Sequence, residues 1–221
     1  MRTMTLRTTY DEVLEATEHL PEESTLVVHE FSWQEYERLL QDPRNTPHLR
    51  VSYDRGRLKI VSISAGHEHY STVIHDLVVT FSDELDITIE ARGRATWKIE
   101  ALGRGVEADA SYYVQNAPRI IGKLNIDLPQ DPPPDIAVEV DLTTESQDKF
   151  PIYAALNVPE IWRYDGKTFQ FLLLVNGEYV ESGGSRLLPG LTRDLLLESF
   201  KKSLTEGQSA ARKYLRHRLR S

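Results

Sequence analysis

Ile136-Ala137-Val138-Glu139-Val140-Asp141 is apolar at every position except its two acids. Its near-continuous apolar character predicts a short strand buried on both faces, which belongs in the middle of a sheet. A carboxylate inside such a strand is costly to desolvate unless something positive meets it, so Glu139 needs a partner. Asp141 follows two residues later, and the strand period of two places both side chains on one face, roughly 6–7 Å apart by rise. A divalent cation would relieve both acids. With no cysteine in the chain, its ligands are oxygen or imidazole, and hard oxygen ligands select Mg²⁺ or Mn²⁺.

Around this strand the sequence alternates helical and β patterns. Pro129 to Pro134 reads as an extended approach to it. Beyond it, Gln147 to Leu156 predicts a short helix with Pro151 in its first turn and Asn157 as a left-handed stop. Glu160–Tyr164, Thr168–Val175 and Glu178–Val180 then predict a meander turning at Asn176-Gly177. Upstream, Ser32-Trp33-Gln34-Glu35 is a capping box that starts a helix. Leu49–Tyr53 and Leu58–Ile63 form a hairpin about Asp54-Arg55-Gly56-Arg57, followed by a long helix from about His67 to Leu85. Ile87–Ala91, Ala95–Ile99 and Ala108–Val114 read as strands, and a closing helix starts near Thr192. The expected fold class is therefore α/β (α+β): a mixed central sheet flanked by helices, with Asp109 at or near a strand start.

The chain has 221 residues and a formal charge of −8, which argues against a protein that coats nucleic acid nonspecifically. Its basic groups are uneven: Lys201 to Ser221 holds seven Lys or Arg against one Glu, leaving that segment about +6 and the rest about −14. Two readings of this tail stay open, a phosphate-contacting arm and an amphipathic helix packed on the body or on a second subunit. The division expected is an N-terminal extension over 1–31, the main domain over 32–200 and the basic helical tail over 201–221. Met1 to Tyr10 lacks the apolar core of a signal peptide, and no run of about 18 apolar residues occurs, so no membrane span and a reducing cytoplasm are expected.

Pro134-Asp135-Ile136-Ala137-Val138-Glu139-Val140, and Lys149-Phe150-Pro151-Ile152-Tyr153-Ala154-Ala155-Leu156-Asn157-Val158-Pro159-Glu160-Ile161-Trp162 after it, closely resemble the Uma-two type of restriction endonuclease family, placed within the PD-(D/E)xK nuclease superfamily. The similarity runs from about Ser32 to Leu191 and includes Tyr53 to Leu58, His67 and Arg104 to Asp109. It implies a restriction-endonuclease-like fold, Mg²⁺-dependent (or Mn²⁺-dependent) hydrolysis of phosphodiester bonds in nucleic acid, DNA first, and a homodimer. On that resemblance Asp109 matches the acid of the Pro-Asp element and Glu139 the acid of the Glu-x-Lys element. These two, with the Val140 carbonyl, would hold the metal. Ala108 stands where the pattern has proline. Asp141 stands where it has lysine, so Lys149, four residues before Tyr153, is the candidate replacement, and Asp141 a base or second-ion ligand.

The same residues admit plainer roles. Asp109 could cap a turn, Glu139 pair with a buried Arg or Lys, Lys149 pair with Glu145 on a helix surface, and His67 cap the long helix rather than touch substrate or metal. Glu90 is a possible third carboxylate or an ordinary strand residue. The competing function is a nuclease-fold module without catalysis, used for binding or assembly.

Overall fold

The protein is described by a computed structural model over residues 9–44, 48–142 and 146–220. The reading of the first eight residues and the alternative partner Glu145 lie outside these residues.

Helix α1 (Tyr10–Glu18) and strand β1 (Thr25–Val28) lead to α2 (Trp33–Gln41), which starts at the expected capping box: the Ser32 side chain accepts from Glu35 N, and the Glu35 carboxylate takes Ser32 N–H. Strands β2 (Leu49–Asp54) and β3 (Arg57–Ser62) form the hairpin, closed by Arg55 and Gly56 with φ of 47° and 94°. The long helix α3 covers Ala65–Glu84, two residues earlier at its start than the sequence suggests. Short strands β4 (Glu90–Ala91), β5 (Thr96–Ile99), β6 (Arg104–Glu107) and β7 (Ala110–Tyr113) follow, then the turn-like helix α4 (Ala117–Ile120). Strand β8 is Ile136–Val140, and a single 3₁₀ turn, Gln147–Lys149, runs into α5 (Phe150–Ala155). Pro151 occupies its first turn and Asn157 is left-handed, with φ of 59°. Strands β9 (Glu160–Tyr164), β10 (Phe169–Val175) and β11 (Glu178–Ser182) make the meander, and α6 (Arg193–Glu206) and α7 (Gln208–Arg220) close the chain.

The strands divide between two sheets. The expected mixed sheet is six-stranded, β11-β10-β9-β8-β7-β4, and β8 lies inside it, parallel to β9 and antiparallel to β7. The parallel pair is joined through α5, as a parallel pair must be joined by a crossover. The N-terminal strands build a separate antiparallel sheet, β1-β3-β2-β6-β5. Strand β1 belongs to it, so residues 25–28 are integral to this sheet rather than an appendage.

Alternation assigns each face. In the first sheet Leu49, Val51, Tyr53, Leu58 and Ile60 pack with Tyr10, Val13, Leu14, Tyr36 and Leu39 of α1 and α2. Arg50, Ser52, Arg57 and Lys59, the intervening residues, therefore present the opposite face. One face of the second sheet, with Val138, Val140, Trp162 and Phe171, is covered by α3, α6 and α7. The other, with Ala137 and Ile161, is covered by Ile152, Tyr153 and Leu156 of the α5 region.

The basic C-terminal segment is the amphipathic helix of the second reading. Ala211 and Leu215 are fully buried against the body, and Arg212, Arg216, Arg218 and Arg220 pair with Asp76, Glu84 and Glu198. Burying a leucine is worth about 1.5–3 kcal/mol, against 0–1 kcal/mol for each partly exposed pair, so the buried Leu215 outweighs any single ion pair on α7. Among the described residues no helix is long and apolar enough to cross a membrane.

Candidate active site

The chain passes from one sheet to the other at Ala108-Asp109. Strand β6 ends at Glu107 in the first sheet and β7 begins at Ala110 in the second, where Ala110 is paired with Val138 and Ser111 with Ala137. Asp109 N–H donates to Val138 O at 3.0 Å, extending that ladder one step and setting Asp109 beside Glu139. Both acids line one pocket with Arg50, His67, Val140, Asp141 and Lys149.

Asp109 is 5% exposed and saturated with donors. Arg50 Nε meets Oδ1 at 2.8 Å, while Oδ2 accepts Val140 N–H at 2.8 Å and faces His67 Nε2 at 3.2 Å. Helix α3 supplies a second contact one turn after His67, since Ser71 Oγ donates to the Asp109 carbonyl at 3.0 Å. Burial alone would raise this carboxyl, but the hydrogen bond and charge of His67, followed by the charges of Lys149 and Arg50, hold it well below the usual carboxylate range. The other ring nitrogen of His67, Nδ1, is buried without a hydrogen-bond partner among the described residues.

Glu139 is 1% exposed and held from the α5 side. Lys149 Nζ lies 2.7 Å from Oε2 and also donates to the Glu107 carbonyl at 3.2 Å, while the Tyr153 hydroxyl donates to Oε1. The spacing of four residues brings Lys149 and Tyr153 to the same carboxylate, one from the 3₁₀ turn and one from the helix it starts. Burial pushes the Glu139 carboxyl up to about 7; Lys149 opposes that shift and the Asp109 charge adds to it. For Lys149, burial acts to lower the pKa, but the charges of Glu139 and Asp109 outweigh it and leave the amine raised. Neighbouring acids pushed in opposite directions are the arrangement from which acid and base roles arise.

The remaining sequence candidates separate. Asp141 shares the Glu139 face and lines the pocket, but its Oδ2 is taken by Arg163 Nε and by both the N–H (2.9 Å) and hydroxyl (3.0 Å) of Ser146. Glu139 and Asp141, two acids on one face, are thus each paired with a cation of the protein, Lys149 and Arg163. His67 reaches the pocket from the first turn of α3 and does not cap the helix. Glu90 stays away: it pairs in register with Tyr113, at the far end of β7 from Asp109, and its carboxylate lies 3.7 Å from Arg92.

A metal was expected here, and the donor set decides whether one fits. Two carboxylates and the adjacent Val140 main chain give hard oxygen around a cavity of about 30 Å³, room for an ion or a water molecule or two. Among the described residues no group of three or more His, Asp or Glu side chains forms a ligand cluster. Mg²⁺ needs no such cage, because it keeps several waters and is commonly bound by one or two carboxylates plus substrate phosphate. The residues therefore fit Mg²⁺ or Mn²⁺ in kind. Arg50 and Lys149 already neutralise the two acids, so a dication alone would leave the pocket net positive.

Arg50 and Tyr153 belong to the site and were not singled out as site residues from the sequence. Arg50 had a readable signal: it is the charged member between Leu49 and Val51 in an alternating strand, and only 2% exposed. Its pairing with Asp109 spans 59 residues of sequence and joins two sheets, a contact no local pattern encodes.

No curated protein matches the chain. Over residues 33–205, most of its length, the sequence matches the Uma2 family, which carries the description "Putative restriction endonuclease". The chain belongs to that restriction-endonuclease-like family.

Proposed function

We propose that this protein is a Mg²⁺-dependent endonuclease that hydrolyses phosphodiester bonds of DNA, with Asp109, Glu139 and Lys149 at its centre. The observation that carries the reading is the pairing of Asp109 and Glu139, brought together at the junction of two sheets and facing one pocket with a lysine on Glu139. Family membership supports a nucleic-acid substrate.

The Asp109 and Glu139 carboxylates and the Val140 carbonyl are the ligands assigned to the cation. Bound there, it would supply activation of water and neutralisation of charge on the scissile phosphate. Arg50 and the Val140 N–H fix the Asp109 carboxylate, so its orientation does not have to be organised during the reaction. Lys149, fixed between Glu139 and the Glu107 carbonyl, orients the attacking water or steadies the phosphate oxygens. Asp141, bound to Arg163 and Ser146, holds the start of the loop after β8, and catalytic work falls to the other three. Cutting both strands of a duplex calls for two such centres, hence a homodimer.

One observation favours a noncatalytic binding module: both acids are already neutralised by the protein's own cations. Incubation of the purified chain with DNA and with RNA, in Mg²⁺, Mn²⁺ or EDTA, separates the two. Metal-dependent cleavage that disappears in Asp109→Asn and Glu139→Gln supports the nuclease. Cleavage persisting undiminished in either variant removes that residue from the mechanism, and intact substrate under every metal condition supports the binding module.

A further inference from the structure

Strand β3 carries two cations that the proposed hydrolysis does not use. Leu58 and Ile60 point into the core, so Arg57 and Lys59 share the opposite face, and Lys59 lines the same pocket as Asp109 and Glu139. Both cations meet one carboxylate: Asp148 Oδ1 lies 2.8 Å from Lys59 Nζ, and Oδ2 lies 3.2 Å from Arg57 Nη1. Asp148 is the residue immediately before Lys149, in the 3₁₀ turn that delivers that lysine to Glu139.

We infer that Arg57 and Lys59 form a binding site for a backbone phosphate of nucleic acid next to the scissile one, and that Asp148 occupies this site in the free protein in place of the phosphate. A carboxylate that gives one oxygen to each of two cations presents the geometry of two nonbridging phosphate oxygens. The two partners differ in how readily they separate. Lys59 is nearly buried, its side chain only 8% exposed, whereas Asp148 is 35% exposed and can turn into water. The Arg57–Asp148 pair, exposed on both sides, is weak, and a phosphate oxygen that replaces the carboxylate on the nearly buried Lys59 keeps that cation paired. Charge supplies the reason for such a site: on a chain of net charge −8, the attraction for a polyanion has to be local.

The inference rests on the nucleic-acid reading above but not on catalysis, and binding measured without metal keeps the two apart. Fluorescence anisotropy of a labelled DNA duplex, titrated with the full chain in EDTA at several salt concentrations, is the measurement. Asp148→Asn is expected to tighten binding by about 3–10-fold, because a site blocked most of the time loses apparent affinity by its open fraction. Lys59→Gln and Arg57→Gln are expected to weaken binding, each lowering the slope of log K against log salt by about one. Glu15→Gln, the same charge change on α1 behind the opposite face of the first sheet, is expected to do nothing. Equal tightening by Glu15→Gln would reduce the effect to net charge and overturn the inference, as would unchanged slopes in both cation variants with circular dichroism like that of the parent. Absence of cleavage together with these binding shifts would sink the nuclease reading and leave the phosphate site standing.

Discussion

Strands β8 and β9 run side by side and each carries a buried glutamate, but the two are satisfied in different ways. Glu160 is fully buried, and among the described residues its donors are all neutral: the Trp162 indole N–H, the Ser185 hydroxyl, and the backbone N–H groups of Arg186 and Leu187. Asp135, at the same end of the sheet, likewise accepts, among the described residues, from Val114 N–H, Asn116 N–H and the Asn116 amide. At the other end, Glu139, Asp109 and Asp141 each meet a lysine or arginine and line a pocket. A carboxylate ringed by fixed neutral donors fastens a loop to a strand. One held by a side-chain cation beside a cavity has room next to it for a second cation, and this makes it a candidate for chemistry.

Paired substitutions at Glu139 and Glu160 separate the two kinds of carboxylate. Glu139→Gln keeps the shape of the side chain and is expected to lower cleavage per folded molecule by more than about a hundredfold, with a loss of stability as well because the buried Lys149 loses its charged partner. Glu160→Gln forces an amide N–H₂ among donors and is expected to cost about 1–3 kcal/mol in stability while leaving cleavage per folded molecule unchanged. Chemical denaturation alongside a cleavage assay checks both. A Glu160→Gln variant that folds well but fails to cut would erase the distinction.

Lys149→Met sharpens it further. Removal of the cation leaves Glu139 buried and unpaired, with an expected loss of about 3–5 kcal/mol, and Lys149→Met with Glu139→Gln should regain much of that without regaining activity. A double variant no more stable than Lys149→Met would show that the pair is not coupled.

Acidity tests the opposed shifts of the two acids in metal-free buffer. The folded Glu139 carboxyl is raised from 4.5 to about 7, so its contribution to stability is full below 4.5 and declines as pH rises through about 7. Asp109 is lowered, so its contribution is present above the ordinary aspartate range, about 4, and is lost as pH falls below it. Unfolding free energy measured across pH should lose the first slope in Glu139→Gln and the second in Asp109→Asn. Slopes that survive these substitutions would refute the assignments. Smallest of all is Arg220→Ala on α7, whose ion pair with Glu84 has an arginine 71% exposed. The expected stability change is within about 1 kcal/mol by thermal melting, and a larger loss would mean that charge, not the buried Leu215, anchors the helix.

What the sequence made legible follows the range of the interactions. The capping box at Ser32, the hairpin at Gly56 and the buried strand at Glu139 are written in residues a few positions apart, and each forms where expected. The segment 108–114 reads as one continuous strand because its composition is uniform. In the folded chain Ala108-Asp109 is instead the junction between two sheets, and that division depends on which distant strands pair. Glu139 advertised its need for a positive partner but not its identity. Lys149 was within reach of motif spacing, whereas Arg50, on Asp109, lay beyond any local pattern.

Asp109 and Glu139 holding one hard cation is a property that metal binding itself reports. Titration of Mn²⁺ into the full chain with a short DNA duplex present, followed by electron paramagnetic resonance, should show a bound ion in the parent protein. Binding should weaken strongly in Asp109→Asn and in Glu139→Gln and stay intact in Glu160→Gln. Equal Mn²⁺ binding by the parent and both pocket variants, or none by the parent, would rule out a cation held by this pair.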